Sequence, residues 1–265
     1  MSSSDPSNEE LVLFSVEGRI ATVTLNRPDM LNAVSTPVLR RLFEVFDEVN
    51  NSEDIWCVIF KGNGRAFCTG ADQKERATMT EDDIRYRRRV SPQSFAAMRN
   101  CRRPVIAQIH GYALGGGLEL ALGCDLIVAA KGTTMGLIET SKGSIPAGGG
   151  TQILPRLVGL QRAKEIIFTS MKFTAEDALS WGMLNYVVPA EELDAKVSEL
   201  ANAIVSVAPI SNIQAKKAIN CSTDLDIASG VQMETALYER TLTTSDRREA
   251  LTAAREKRKP EFKGA

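Results

Sequence analysis

The chain has 265 residues, enough to bury one large core or a core with a small appended subdomain. Its 43% hydrophobic and 25% charged residues are ordinary for a globular protein, and no stretch approaches the roughly 18 apolar residues of a membrane span. The formal net charge of −1, from 32 basic and 33 acidic residues, argues against a general polyanion binder.

The five cysteines form no CxxC pair and show no metal-ligand spacing, so no metal site is predicted. Most lie in apolar segments, which indicates small core residues in a reducing compartment. The first ten residues are polar and acidic, are predicted to be disordered, and resemble neither a secretory signal nor an Arg-rich presequence. We therefore expect a cytoplasmic protein, or a mitochondrial matrix protein if a presequence was removed.

Two short strands begin the folded part, at Leu11–Val16 and Ile20–Leu25, separated by a turn at Gly18–Arg19. The second alternates apolar and polar residues, which predicts a hairpin at a sheet edge. Pro37 then opens a helix. Its apolar residues recur at helical spacing and are Leu39, Leu42, Phe43, Phe46 and Val49.

Short apolar runs follow at Cys57–Phe60, Val105–Ile109 and Leu126–Ala130, each succeeded by a turn and a helical stretch. Such βα alternation predicts an α/β fold with a parallel sheet and helices packed outside it.

From about Glu191 onward the strands stop, and the sequence predicts only helices, at Pro209–Asn220, Leu225–Thr244 and Asp246–Arg258. We therefore divide the chain into a core over residues 11–200 and a C-terminal helical subdomain over residues 201–265.

Acidic residues are unevenly distributed along the core. Between Asp83 and Glu165 there are only three, Glu119, Asp125 and Glu139, all in apolar, glycine-rich surroundings. A carboxylate there is costly to ionise, so its pKa should rise unless it is paired, as general acid–base catalysis near neutral pH requires. A structural role stays open for the two glutamates and is favoured for Asp125, which directly precedes a strand.

Two glycine-containing loops offer backbone N–H groups. Gly115–Gly117 leads into an apolar helix with Glu119 in its first turn, and such a helix start can hold an oxyanion. Tight helix packing explains the three glycines equally well. In the loop GRAFCTGADQKERATM, Gly70 and Ala71 could supply another N–H group, and Lys74 a cation for a phosphate.

His110, the sole histidine, lies at the end of an apolar strand, and no GxSxG or reactive-cysteine motif accompanies it. This argues against a Ser–His–Asp or Cys–His hydrolase and favours a structural histidine. The absence of GxGxxG and Walker-type loops likewise argues against nicotinamide and ATP sites.

Several motifs, taken in order, resemble the crotonase (enoyl-CoA hydratase/isomerase) superfamily: GRAFCTGAD, HGYALGGGLELALGCD, MGLIET, IPAGGGTQILPR and TTSDRREAL. Within this superfamily, the motifs are most similar to those of the methylglutaconyl-CoA hydratase branch, which includes an AU-rich RNA-binding hydratase. The resemblance implies a crotonase-type ββα spiral core, followed by a C-terminal α-helical region that assembles trimers or pairs of trimers.

The resemblance implies an enoyl-CoA hydratase, an enzyme that acts on an acyl-CoA substrate. The backbone N–H groups of Ala71 and Gly116 would hold the thioester carbonyl, Glu119 would activate water, and protonated Glu139 would deliver a proton to Cα. Coenzyme A enters as part of the substrate, and no permanently bound cofactor is implied. The implied CoA contacts are Ala71, Asp72, Gln73 and Lys74 on one subunit, with Tyr238 and Lys257 from a neighbour.

The sequence departs from the family pattern at two positions that bear on the substrate. Ala147 replaces a common glycine, which is harmless unless that position needs a positive φ. Gln73 replaces an aliphatic residue.

Arg85 and Arg89 share a helix face and could bind a distal carboxylate such as that of 3-methylglutaconyl-CoA, although a solvated basic face is the favoured interpretation.

Three other functions compete with hydration. An enoyl-CoA isomerase commonly needs only the second glutamate, so retention of Glu119 favours a hydratase. RNA binding is disfavoured because the helix at Pro37–Asn50 carries a formal net charge of −1. The intact Glu119, Glu139 and Gly116 argue against a catalytically silent scaffold.

Overall fold

A computed structural model describes the backbone of residues 8–265 and the side chains from residue 10 onward. The disorder predicted for the first ten residues therefore lies mostly outside the described residues. The described residues begin with one helical turn at Asn8–Leu11, and the predicted disorder stays a prediction. Asn26 holds this turn, since its side chain donates to the Glu10 carbonyl at 2.8 Å and its backbone N–H donates to that of Leu11 at 2.9 Å.

The described residues contain nine strands in two sheets. In chain order they are β1 (Val12–Glu17), β2 (Ile20–Leu25), β3 (Cys57–Gly62), β4 (Val105–Ile109), β5 (Tyr112–Leu114), β6 (Leu126–Ala130), β7 (Thr134–Gly136), β8 (Phe173–Thr174) and β9 (Tyr186–Val188).

The larger sheet has the order β1-β2-β3-β4-β6-β9. Strands β1 and β2 pair antiparallel, and every other pair is parallel, which confirms both the predicted edge hairpin and the predicted parallel sheet. All five residues of β4 are buried, as expected for a central strand covered by helices on both faces.

The smaller sheet, of order β5-β7-β8, was not predicted from the sequence. Its strands have three, three and two residues, too short for an alternating pattern to be seen. This sheet matters for the site because Gly115 follows β5 and Glu139 lies three residues after β7. The Gly115 N–H donates to the Gly136 carbonyl at 2.8 Å, so the two segments are held side by side.

Twelve α-helices lie among the described residues. They are α1 (Asn8–Leu11), α2 (Thr36–Asn51), α3 (Gln73–Thr78), α4 (Glu81–Arg99), α5 (Gly116–Leu122), α6 (Gly150–Val158), α7 (Leu160–Thr169), α8 (Ala175–Ser180), α9 (Leu193–Val205), α10 (Pro209–Cys221), α11 (Ile227–Leu242) and α12 (Ser245–Glu256). Short 3₁₀ helices occupy Pro28–Met30, Glu139–Lys142 and Ala190–Glu192.

Helix α2 has Pro37 in its first turn, as predicted, and Ser35 is its N-cap residue. Leu39, Leu42, Phe46 and Val49 are buried in the main core, whereas Phe43 remains 42% exposed. The predicted apolar face is therefore correct except at Phe43.

The three predicted C-terminal helices are confirmed as α10, α11 and α12. The boundary predicted at residue 200 falls within α9, whose Leu193, Val197 and Ala201 pack with residues of the large sheet. The division into two subdomains stays a prediction. Among residues 8–265, no helix is both long and apolar enough to cross a membrane.

Candidate active site

A cavity of about 90 Å³, here called the site cavity, lies beside the amino end of α5. The residues predicted to form the oxyanion hole, Ala71 and Gly116, both line it. So do Glu119 and Glu139, which are 20 residues apart in sequence. The fold therefore brings together the four residues that the sequence singled out for the chemistry.

The Ala71 N–H group is positioned by a short parallel bridge to Val34. Val34 donates to the Gly70 carbonyl at 2.7 Å, and its own carbonyl accepts from the Asp72 N–H at 3.1 Å. This pattern uses the peptides on either side of Ala71, and among residues 8–265 no acceptor binds the Ala71 N–H itself. The N–H is left free to bind a ligand oxygen.

The glycines at the start of α5 serve both roles that the sequence left open. A β-carbon on Gly117 would lie 2.3 Å from the Cys68 carbonyl oxygen, so this glycine permits close packing. A β-carbon on Gly116 would be 3.9 Å from the Ala71 nitrogen, which places the two N–H groups near one another. Nothing in the described chain accepts a hydrogen bond from the Gly116 N–H. Together these N–H groups have the arrangement of an oxyanion hole.

Glu119 is 4% exposed in the first turn of α5. Its Oε1 atom accepts hydrogen bonds from the backbone N–H groups of Gly148 at 2.7 Å and Gly150 at 2.8 Å. Burial raises the pKa of Glu119, while the N–H groups of Gly150 and Gly148 oppose that rise. The loop that supplies them was recognised in the sequence, but its hold on Glu119 was not.

Glu139 is only partly buried, yet its Oε2 atom is enclosed and has no hydrogen-bond partner among the described residues. Burial, and then the charge of Glu119, raise the pKa of Glu139 to about 7, although Lys142 and Arg76 act in the opposite direction. A carboxyl group that is half protonated near neutral pH can donate a proton as well as accept one.

The departure at Ala147 does not disturb this arrangement. Ala147 lines the site cavity without adopting a positive φ, so the alanine causes no backbone strain. The neighbouring Gly148 packs too closely against Phe95 to carry a side chain, since a β-carbon there would lie 2.5 Å from the Phe95 ring.

The predicted CoA contacts divide into three kinds. Gln73 lines the site cavity and donates to the Ala71 carbonyl at 3.1 Å, and Lys74 is exposed nearby. The Asp72 carboxylate instead serves the fold, pairing with Arg27 at 2.9 Å and capping α3. Exposed Tyr238 and Lys257 do not line the cavity within one chain. The six CoA contacts stay predictions.

The arginines of α4 behave differently from one another. Arg85 is exposed and pairs with Glu81 and Asp82, and neither Arg85 nor Arg89 lines the site cavity. Their exposure agrees with the favoured solvated basic face, and the pairing of either arginine with a substrate carboxylate stays a prediction. Arg87 between them is buried and does line the cavity, although the arginine-rich sequence gave no sign of it.

Two further cations at the cavity, Arg76 and Lys142, were also missed. Both are exposed, and neither has an ion-pair partner among the described residues. Arg76 is three residues beyond the cavity-lining Gln73, about one turn along the same helix, and that spacing was the available signal.

Asp125 and His110 are structural, as predicted. The Asp125 carboxylate accepts from the Val105 N–H at 2.7 Å and from the Lys216 ammonium at 2.5 Å. His110 contacts the Gly64 carbonyl at 2.9 Å. Within the part of the chain that is described, no cluster of three or more His, Cys, Asp or Glu residues could hold a metal ion.

Comparison with known proteins places these features in context. A family model for enoyl-CoA hydratase/isomerase matches residues 15–265. The chain is 38% identical to the short-chain-enoyl-CoA hydratase of Clostridium acetobutylicum, over 94% of this chain and 96% of that protein. It is also 38% identical to the mouse mitochondrial methylglutaconyl-CoA hydratase, over 92% and 80% respectively. The crystal structure of an enoyl-CoA hydratase from Bacillus anthracis superposes with a TM-score of 0.93 at 39% identity, covering 96% of this chain and all of that one (100%).

Proposed function

Because the chain belongs to the enoyl-CoA hydratase/isomerase family of the crotonase superfamily, we propose that it adds water to a 2-trans-enoyl-CoA thioester. The addition is syn and yields a 3-hydroxyacyl-CoA. One observation carries this proposal: two glutamates in unlike environments line the same small cavity as two backbone N–H groups that have no acceptor among the described residues.

The thioester carbonyl oxygen accepts hydrogen bonds from the Ala71 and Gly116 N–H groups. This polarisation draws electron density from the conjugated double bond and makes Cβ electrophilic. Attack by water produces an enolate-like species whose oxygen charge the same two donors stabilise. A single donor in comparable sites contributes about 3–4 kcal/mol to the transition state.

The two glutamates divide the proton transfers. Glu119, whose carboxylate is held by two backbone N–H groups, orients the water and takes its proton as the new C–O bond forms. Glu139, with a pKa of about 7 and one unpartnered oxygen, delivers a proton to Cα. A closely coupled pair titrates jointly, so the two roles are properties of the pair.

Coenzyme A binds as part of the substrate and needs no resident cofactor beside it. Lys74 would attract a phosphate, and Tyr238 and Lys257 would reach the CoA of a neighbouring subunit in a trimer or a pair of trimers. Exposed apolar residues on the C-terminal helices suit such an assembly, and the largest exposed fractions there are those of Ile219, Ile227 and Leu251.

Two cations at the cavity bear on the identity of the acyl group. Arg76 and Lys142 present unpaired positive charge to the cavity that holds the reacting carbons, and a distal carboxylate on the acyl chain would neutralise it. Among 2-enoyl thioesters, 3-methylglutaconyl-CoA has this group, and a relative of that name is 38% identical to this chain. We include it as the second substrate candidate.

The reaction is tested with crotonyl-CoA, by following the loss of absorbance of the conjugated thioester. We expect turnover with formation of 3-hydroxybutyryl-CoA. A 3-enoyl-CoA is assayed in parallel, because its conversion to the conjugated 2-enoyl isomer without hydration would replace the hydratase with the isomerase alternative.

The acyl group is tested by comparing kcat/KM for crotonyl-CoA and 3-methylglutaconyl-CoA in wild type, Arg76→Met and Lys142→Met. We expect each variant to lose about tenfold on the charged substrate, the value of one modest ionic hydrogen bond. Crotonyl-CoA should be affected far less. Arg88→Met, at an exposed position outside the cavity, is the matched control. Equal losses on both substrates would remove the carboxylate-binding role.

A further inference from the structure

Arg87 is buried in a segment of α4 whose other basic residues are exposed. It is 8% exposed, whereas Arg85, Arg88 and Arg89 all face solvent. Burying a guanidinium is costly unless it is paired and hydrogen bonded. The contacts that hold Arg87 in place therefore indicate what the buried charge is used for.

Both terminal nitrogens of Arg87 are committed to protein groups. Nη1 donates to Glu75 Oε2 at 2.7 Å and to Thr36 Oγ1 at 3.1 Å. Nη2 donates to the Val34 carbonyl oxygen at 2.9 Å. These contacts join α4 to the start of α2 and to the first turn of α3.

The Val34 peptide links this network to the oxyanion hole. Its carbonyl oxygen accepts from both Arg87 and the Asp72 N–H, and its N–H donates to the Gly70 carbonyl. Gly70 and Asp72 flank Ala71, whose N–H is one of the two proposed donors to the thioester oxygen. Arg87 is thus one peptide group away from the loop that aims this donor.

Glu75 closes the network from the other side. Its Oε1 atom accepts from the Thr36 N–H at 2.8 Å while Oε2 pairs with Arg87. Because α3 starts directly after Ala71 and Asp72, the position of Glu75 also sets where that loop can lie. A planar guanidinium can hold the Glu75 carboxylate and the Val34 carbonyl at once, and a lysine ammonium at the same position lacks this fork.

We propose that Arg87 is a positioning residue for the oxyanion hole, acting through the Val34 carbonyl and Glu75 to fix the Ala71 N–H. It lines the site cavity, but its Nη1 and Nη2 atoms already serve the protein, so it acts on the substrate indirectly. The inference rests on the proposed function, because the hole has a purpose only if a thioester carbonyl occupies it.

The test measures carbonyl polarisation separately from turnover. Butyryl-CoA has the thioester carbonyl but no double bond, so it binds without reacting. Its C=O stretching frequency, read by infrared difference spectroscopy with a ¹³C label, falls when the oxyanion-hole donors bind it. We expect Arg87→Met to reduce this shift and to lower kcat for crotonyl-CoA about 10- to 100-fold, less than or equal to complete loss of one donor.

The pattern across variants separates positioning from general destabilisation. Arg87→Lys should recover little of the shift, since it keeps the charge but loses the fork. Arg88→Met, with the same change at an exposed neighbour, should match wild type in both readouts. The KM for crotonyl-CoA should rise less than kcat falls in Arg87→Met, because the oxyanion-hole donors stabilise the enolate-like transition state more than the bound substrate.

A folded Arg87→Met variant with the wild-type C=O shift would overturn the proposal, whatever its turnover. If that variant does not fold, Glu75→Gln removes the charge partner with little change of shape and should give a smaller loss of the same shift. A wild-type shift in folded Glu75→Gln would then overturn it. Failure of wild type to hydrate crotonyl-CoA would count against the proposed function alone, because the butyryl-CoA measurement requires no turnover.

Discussion

The segments around Glu119 and Glu139 place the same residue type in opposite circumstances. Glu119 is almost fully buried, and a glycine loop directs two backbone N–H groups at one of its oxygens. Glu139 lies in a 3₁₀ helix and is more exposed than Glu119. Its Oε2 atom is nevertheless buried and has no hydrogen-bond partner among the described residues. The two carboxyl groups therefore differ both in their burial and in the hydrogen-bond donors that face them.

At Glu119 the backbone N–H donors oppose the rise in pKa that burial causes, whereas no group among the described residues donates to the Glu139 Oε2 atom. Donors directed at a carboxylate favour its ionised form, and an unpartnered oxygen beside a second negative charge favours the protonated form. In this way one cavity can hold a base and an acid built from identical side chains. The pKa of Glu139, about 7, places the acid where it can transfer a proton under neutral conditions.

Replacement of either carboxyl group should have the largest effect. We expect Glu119→Gln and Glu139→Gln each to lower kcat for crotonyl-CoA hydration by about 10²–10⁴, because each removes one proton transfer at little cost in shape. Turnover is measured by loss of conjugated absorbance, with circular dichroism to confirm folding. Near-wild-type hydration by Glu119→Gln would end its assignment as the base.

The pH profile distinguishes the two carboxyl groups. In the proposed mechanism the protonated form of Glu139 delivers the proton, so kcat/KM should fall above about pH 7, approaching tenfold per pH unit. Lys142 holds the pKa of Glu139 down, so Lys142→Met should move this alkaline limb to higher pH. An alkaline limb that is absent, or unmoved in Lys142→Met, would contradict the acid role.

The smallest effect concerns stability. Glu139 has a folded-state pKa of about 7 against an ordinary value of 4.5, so the folded protein holds this proton more tightly. The raised pKa therefore contributes to the free energy of unfolding. This contribution is fully present below about pH 4.5 and is lost as the pH rises through 7. Glu139→Gln cannot ionise, so its stability relative to wild type should increase over that range.

For this partly exposed group, allowing for solvent screening, we expect a relative gain of about 1 kcal/mol, or roughly 2–4 °C in Tm, between pH 5 and pH 8.5. The measurement is a thermal melt of both proteins at the two pH values. Glu17→Gln, at an exposed position that does not line the cavity, serves as a control for a general charge effect. A difference between wild type and Glu139→Gln that does not vary with pH would show that the pKa of Glu139 is not raised.

Much of the fold was readable because its signals are local. The edge hairpin, the parallel strands and the C-terminal helices follow from alternation, apolar runs and helical spacing within short windows. The small sheet was missed because two- and three-residue strands have no period. Its role is visible only where it holds Gly115 beside the segment that leads to Glu139.

By itself, the sequence determined the candidate residues for the chemistry: it marked Glu119 and Glu139 as rare acids in apolar surroundings, and motif resemblance supplied Ala71 and Gly116. Only the tertiary structure decided how the two glutamates differ, and that Arg87 rather than Arg85 or Arg89 belongs to the site. The physical reason is that proton affinity and burial depend on groups distant in the chain. Gly148 lies 29 residues from Glu119, and Val34 lies 53 residues from Arg87, so no local pattern could have revealed either contact.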